Sequence, residues 1–489
     1  MNLLTMSRNG IIAICALISL NSCKKNSDSD KTGTEVVLTN HSTTPVLAKK
    51  LAGFESLEMF SLIGSDDVLS GSPSFVFGGS ADGAGLIKNN DGGYYFLVNH
   101  EDNFAVSRIT FDKTFKPTKG EYILNSNGGI WRLCSATMAT QSEHGFGPLF
   151  LTSGESGEES RTHGINPLET NFVANASKEI AALGRTSAEN AVPLNKNAYP
   201  GKTVIIIGDD DSGAEGGQVL LYVSNTVGDL TNGKLYTLRR KDQNIKERDM
   251  LEGTGYDVEF VEIPNAATLT GRQLQVAAAG LSSIRFGRVE DLDYGKGNAT
   301  ANRDIYFNVT GQATTGANAD FSRTKYGRVY KLALDATNPL VGRVECILDG
   351  DNRTTGKAKE FQNPDNILVT EKYVYIQEDA NSYGDETHDA YIYQYNIATK
   401  ELKKVIELDH RRTASDAAKY NVGGTSTFGS WEYGALIDVS ETIGIDNTFM
   451  LCIQPHTWRG DKYKGVDGGA LRPNENQASQ IVIIKGLPK

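Results

Sequence analysis

AYIYQYNIATKELKKVIEL, residues 390–408, is the stretch that decides the fold class. A Tyr-rich run meets a polar link at Ala398-Thr399-Lys400, and the chain returns through Val405-Ile406. β-Branched and aromatic residues interrupted by a short polar link read as strand, turn, strand. The unit recurs outward in both directions: YYFLVN (94–99), TVIIIG (203–208), VLLYVS (219–224), DIYFNV (304–309), RVYKLAL (328–334), YVYIQ (373–377), TFMLCIQ (448–454) and QIVIIK (480–485). Most are bounded by Gly, Asn or Asp, as strands joined by tight turns require. Helical periodicity is sparse: only residues 171–184 and 268–281 fit an amphipathic helix, and both read as insertions between strands. No alternation of strand with long helix occurs, which excludes a doubly wound sheet. Many short strands without a compositional break predict an all-β chain, a single β-propeller with insertions, rather than two separate β domains. No repeat of 40 to 50 residues is visible, so the blades have diverged.

The 489 residues carry a net charge of −11, which argues against a nucleic-acid partner because a phosphate backbone needs a basic face. Gly, at 51 residues, is about 10% of the chain, above the usual ~7%. Residues 1–22 read as an export signal: Arg8 is the positive end, and Ile11 to Leu20 is an apolar run too short to span a bilayer. The run closes on Leu20-Asn21-Ser22-Cys23, which resembles a bacterial lipobox. Cys23 is then the lipidated N-terminus of a membrane-anchored extracytoplasmic protein, in the periplasm or at the outer membrane or cell surface, and 23–50 a polar, disordered tether. The folded domain is expected over 51–489 and as a monomer. Cys15 leaves with the signal, so Cys134, Cys346 and Cys452 remain. Three thiols in an oxidising compartment leave at least one unpaired.

Acidic residues collect at strand ends: Glu101-Asp102 after YYFLVNH, Glu155 after LFLTSG, Asp209-Asp210-Asp211 after VIIIG, and Glu378-Asp379 after VYIQ. Glu189, Glu290-Asp291, Asp365 and Glu432 are similar. In a propeller, strand ends at one face surround the channel, where such carboxylates repel one another unless a cation sits among them. Ca²⁺ takes six to eight oxygens, a number that several blades supply jointly. The Gly-rich stretch 78–85 lacks the Lys of a P-loop, and Asp349-Gly350-Asp351-Asn352 lacks the later Glu of an EF-hand, so it reads as a turn. Neither a Gly-x-Ser-x-Gly elbow nor a His-Glu-x-x-His pair is present.

The order of these short motifs resembles the PhoX family of calcium- and iron-dependent alkaline phosphatases. It runs Asn99-His100-Glu101, Cys134-Ser135, Gly154-Glu155, then Gly184-Arg185 with Glu189, and Gly208-Asp209-Asp210. It continues with Arg288-Val289-Glu290-Asp291, Pro364-Asp365-Asn366, Glu432, and Gln454-Pro455-His456, covering roughly residues 75–460. The resemblance implies a propeller hydrolysing small phosphate monoesters at a multinuclear centre of Ca²⁺ and Fe³⁺ on its channel face. By it, Cys134 is an iron ligand; Glu155, Glu189, Glu290 and Glu432 are carboxylate ligands; and Glu101, Asp210 and Asp365 complete the set. Arg288 is the basic residue best placed to act in catalysis, ahead of Arg132 and Arg185. The chain departs from the family at Ala188, where a His often stands, and around Pro148 to Glu155, where a Cys-Glu-Glu is usual. The polar stretch 158–171 reads as an insertion able to reshape the channel. A non-catalytic, calcium-stabilised surface propeller that binds a ligand or partner is the alternative.

Overall fold

The computed structural model describes residues 35–379, 383, 385–424 and 428–489. The export signal and the lipidated Cys23 lie outside the described residues. Among those described, Val36–Lys489 forms one compact unit, a β-propeller.

The blades are four-stranded or nearly so and run outward from the axis in chain order, except that blades five and six each take an N-terminal strand at the outer edge. Blade one is Ala81–Lys88, Tyr94–His100, Ala105–Phe111 and Pro117–Leu124; blade two is Leu133–Ala139, Leu149–Gly154 and His163–Ile165. Blade three is Ala188–Pro193, Thr203–Asp209, Gln218–Ser224 and Lys234–Arg240; blade four is Val289–Tyr294, Asp304–Val309, Arg328–Leu334 and Val341–Asp349. Gly255–Glu262 pairs with the outer strands of both and fuses their edges. Blade five is Pro364–Val369, Tyr373–Glu378, Tyr391–Asn396 and Leu402–Leu408; blade six is Glu432–Asp438, Thr448–Gln454 and Gln480–Lys485. The N-terminal strand Glu58–Gly64 completes blade six, with Glu58 opposite Lys485 and Gly64 opposite Gln480. Pairing the start of the chain with its end closes the ring, so few edges are left to aggregate.

Each inner strand packs on the next, and Glu432–Asp438 packs on Ala81–Lys88. The blades meet through buried apolar faces. Between three and four, Phe286, Phe307 and Tyr330 form an aromatic group, with Phe307 stacked on Tyr330 at 5.2 Å. Such ring pairs add about 0.5–1.5 kcal/mol each beyond area burial. Near the axis there is no room for side chains at some positions. A Cβ on Gly434 would stand 2.3 Å from Ala81 O and 2.6 Å from Asp82 Cα. Gly434→Ala is therefore expected to cost about 1–3 kcal/mol by overpacking, read as a lower denaturant midpoint; an unchanged midpoint would mean blade six can retreat.

Three expectations need correction. The sequence predicts a tether over 23–50, yet Ala48–Lys50 is a strand on the outer edge of blade five, with Ala48 opposite Leu408. Leu47 is fully buried and its N–H donates to Gln480 Oε1 at 2.9 Å, so the folded part begins by Val36 rather than Leu51. Residues 171–184 form no α-helix, only a 3₁₀ turn at Ala181–Leu183. Blade two has a short outer strand, and this segment supplies the missing partner: Gly164 N–H donates to Lys178 O (3.0 Å) and Ile180 N–H to Thr162 O (2.8 Å). Within the polar stretch 158–171, His163–Ile165 is that blade strand rather than inserted chain. The other helix is present as Gly271–Gly280, started by a capping box between Thr270 and Gln273.

Candidate metal centre

The inner strands share a local device that the blades' divergence hides. Near the start of each, the pairing register skips two residues: between Ala81 and Ala84, Leu133 and Ala136, Ala188 and Ala191, Val289 and Leu292, Pro364 and Ile367, and Tyr433 and Leu436. A bulge re-aims a side chain out of the alternating pattern. In five blades the first skipped residue is Asp82, Cys134, Glu189, Glu290 or Asp365. Blade six skips Gly434 and Ala435, and its acid, Glu432, is the first residue of the strand. The second strands run antiparallel, so their C-terminal ends reach the same face, where Glu101, Glu155 and Asp210 immediately follow the second strands of blades one, two and three.

The result is four overlapping groups whose ligand atoms lie within 4.8 Å of one another: Asp82, Glu101 and Cys134; Cys134, Glu155 and Glu189; Glu155, Asp210 and Glu290; and Glu189, Glu290 and Asp365. Cys134 Sγ is 2.9 Å from Glu155 Oε2, and Ser135 N–H donates to Glu189 Oε1 at 3.1 Å. Few cations face them. Arg288 lies 2.6 Å from Asp210, 3.1 Å from Glu290 and 3.9 Å from Glu155; Arg132 lies 3.2 Å from Glu101 and 3.1 Å from Asp102; His456 lies 3.2 Å from Glu432. Arg288 holds a left-handed backbone, φ 71°, a conformation that costs of order 1–3 kcal/mol outside glycine and clusters at functional sites.

Crowding buried carboxylates together disfavours their charged forms. Burial, then Glu432 and Asp102, pushes Glu101 up to about 8, and burial pushes Glu189 up to about 8. Burial and neighbouring carboxylates raise Asp82, Glu155, Glu290 and Asp365 well above the usual range. Cys134 rises through burial and then through Glu155. Asp210 alone in the set is lowered: burial opposes it, but the Arg288 guanidinium and hydrogen bonds to the carboxylate outweigh it. Without further positive charge, burial and mutual repulsion disfavour the charged form of most of these acids. Hard oxygen donors in excess, with a single thiol, are the donor set that fits Ca²⁺ together with a softer transition metal.

Of the residues expected from sequence to bind metal, Cys134, Glu155, Glu189, Glu290, Glu101, Asp210 and Asp365 meet in these groups. Glu432 is not in one, but its charge acts on both Asp82 and Glu101. Arg288 points into the middle, whereas Arg185 turns to Glu159 at 2.9 Å. Asp82 was missed, hidden in the Gly-rich stretch 78–85. Its signal is the four-residue pattern ADGA (81–84), LCSA (133–136), AENA (188–191), VEDL (289–292) and PDNI (364–367). Other strand-end acids have structural partners: Glu378 meets His388 at 2.9 Å, and Asp291 accepts from Asn190 at 2.7 Å. Cys346 and Cys452 are buried in apolar clusters, and all three described cysteines are free. Asp349 to Asn352 form the expected turn, with Asp351 N–H donating to Asp349 Oδ1 at 2.9 Å.

No protein-family model matches the sequence, and no curated protein matches it either. Among solved structures, Pseudomonas fluorescens PhoX, in complex with vanadate, a transition state analogue, superposes with a TM-score of 0.57 at 13% identity, covering 88% of this chain and 95% of that one. The α-L-arabinofuranosidase Arb93A from Fusarium graminearum gives 0.37 at 12% identity over 83% and 96% of the two chains. The calcium-binding protein regucalcin from Agrobacterium tumefaciens gives 0.33 at 9% identity over 84% and 96%. The likeness to PhoX is one of fold.

Proposed function

We propose that this chain is a PhoX-like, metal-dependent phosphomonoester hydrolase acting outside the cytoplasm. The observation that carries the reading is the run of four ligand groups with shared members, with Arg288 set among them. Glu155, Glu189, Glu290, Asp82, Glu101 and Asp365 would hold Ca²⁺, and Cys134, with Glu155 and Glu189 beside it, would hold iron. Bound cations would supply positive charge to the phosphoryl oxygens and lower the pKa of a bound water. They would also reverse the sign of an acidic face that otherwise repels a phosphate dianion.

The chain's own residues then position the substrate. Arg288 presents Nε and Nη2 to Asp210, at 2.6 and 2.9 Å, so its plane is fixed before substrate arrives. A guanidinium held this way offers its remaining edge to a phosphoryl oxygen without reorganising. Arg132, with its side chain 43% exposed beside Glu101, would be a second donor. Arg288→Lys keeps the charge but loses the planar fork. It is expected to lower kcat/KM for p-nitrophenyl phosphate by about 10²-fold, the scale of one lost oxyanion donor, with metal content unchanged. Unaltered kinetics would remove Arg288 from the site.

The reading extends to a lipid anchor at Cys23, a monomeric state and a small phosphate-ester substrate. Protein purified without chelator is expected to contain calcium and iron and to hydrolyse p-nitrophenyl phosphate, with activity lost in EDTA and restored by the metals. Bound calcium without hydrolysis would favour the non-catalytic binding propeller; no bound metal would sink both readings.

A further inference from the structure

We propose that Asn99, Asn308 and Gln377 are positioning residues, each clamping the bulge of the following blade so that its side chains are set at the axis. The inference rests on the metal reading above. Each amide stands opposite the skipped pair of its own blade: Asn99 between the pairs Val98–Ala84 and His100–Ala81, Asn308 between Phe307–Leu292 and Val309–Val289, and Gln377 between Ile376–Ile367 and Glu378–Pro364. All three are fully buried.

Their hydrogen bonds cross to the next blade. Asn99 Nδ2 donates to Cys134 O. Asn308 Nδ2 donates to Asp365 O at 2.7 Å and Asn366 O at 3.0 Å, and Gln377 Nε2 donates to Gly434 O. These acceptors are carbonyls in the bulges, where the register slip interrupts the ladder. For Asn99 and Asn308 the carbonyl gripped belongs to the ligand-type residue itself, so the peptide carrying Cys134 or Asp365 is fixed. Thr152 Oγ1 donates to Asn99 Oδ1 at 3.0 Å and so orients that amide. At the equivalent position of blade three the answer differs. Gly208 has no side chain, and Glu290 O comes so close that a Cβ there would stand 2.4 Å from it. Contact replaces the clamp, and Glu290 is held by packing.

Losing such a donor leaves a buried carbonyl unpaired and its peptide freer to rotate, displacing the ligand atom; removal of an outer partner of a metal ligand typically weakens binding 10–100-fold. The test uses the full chain, stripped with chelator and titrated with Ca²⁺ alone by calorimetry. Asn308→Leu, which frees the Asp365 peptide, is expected to bind Ca²⁺ about 10–100-fold more weakly than wild type, and Asn99→Leu, which frees the Cys134 peptide, to retain less iron as purified, read by elemental analysis. Gln394→Leu is the control: this buried amide donates to Tyr375 OH at 2.8 Å on the third strand of blade five, away from the axis, and its loss is expected to leave affinity unchanged. If leucine is not tolerated, Asn308→Ala, which leaves space instead of filling it, is read in the same titration. Asn308 variants that bind Ca²⁺ within twofold of wild type, an Asn99 variant that keeps its iron, or a control that weakens binding equally, would overturn the inference. A wild-type chain that binds no Ca²⁺ would instead sink the proposed function.

Discussion

Glu290→Gln is expected to lower phosphomonoester hydrolysis by about 10³-fold, equivalent to about 4 kcal/mol of transition-state stabilisation. Glu290 belongs to two of the four ligand groups, sharing one with Glu155 and Asp210 and the other with Glu189 and Asp365. It also lies 3.1 Å from Arg288 Nη2. The amide keeps the size but gives up the charge, so it weakens two cation positions and removes one of the carboxylates that hold the guanidinium, leaving Asp210 to orient it. Glu432→Gln makes the comparison. Glu432 lies outside the groups and is paired with His456 at 3.2 Å, so its loss is expected to cost less than Glu290's. Kinetics with p-nitrophenyl phosphate, alongside elemental analysis of each variant, check this. Equal losses at the two positions, or full activity in Glu290→Gln, would refute the division of roles.

Much of the fold is legible in the sequence because the second and third strands of the blades are continuous apolar runs, such as Thr203–Asp209 and Thr448–Gln454, fully buried on both faces. The strands that close the ring are harder to read. Glu58–Gly64 reads EMFSLIG, too short and too little patterned to stand out locally, and its partner more than 400 residues away makes it a strand. The ligand-type acids are visible where they follow an apolar run, as Glu101, Glu155 and Asp210 do. Asp82 is not, because glycines flank its strand and nothing local separates a bulge from a loop. The clamps are similarly silent: Asn99, Asn308 and Gln377 look like ordinary strand-end polar residues until the register shows what each faces. At 171–184, an apolar spacing of helical type is spent on several neighbours, with Phe172 lying 5.5 Å from the Arg108 guanidinium and Ile180 over Gly164. Periodicity cannot distinguish one partner from three.

Metal-free protein is expected to lose stability as pH rises from 6.5 to 9, and calcium to reverse the trend. In the folded, metal-free chain Glu101 and Glu189 titrate near 8 against an ordinary 4.5, and His456, opposed by burial but held by Glu432, near 9 against 6.5. All three are raised above their unfolded values, so the folded state binds more protons than the unfolded one in this window, and stability falls as pH climbs through 8 and 9. The buried His100, His144 and His163, pushed down to about 4 by burial, are neutral when folded and half charged at 6.5 only in the unfolded chain, so they oppose the trend weakly at the start of the window and no longer do so once pH is about a unit higher. One unit is about 1.4 kcal/mol, so moving the two carboxyls from 6.5 to beyond 8 costs about 4 kcal/mol. A chain of this length loses about 1 °C of Tm per kcal/mol, which predicts a fall of about 4 °C, increased by His456. A bound cation replaces those protons, so the increment in Tm from added Ca²⁺ is expected to grow with pH over the same window. Thermal melts of EDTA-stripped protein with and without Ca²⁺ decide it. A Tm that rises with pH in the stripped chain, or a calcium increment independent of pH, would mean that these carboxylates do not compete with a cation for their protons.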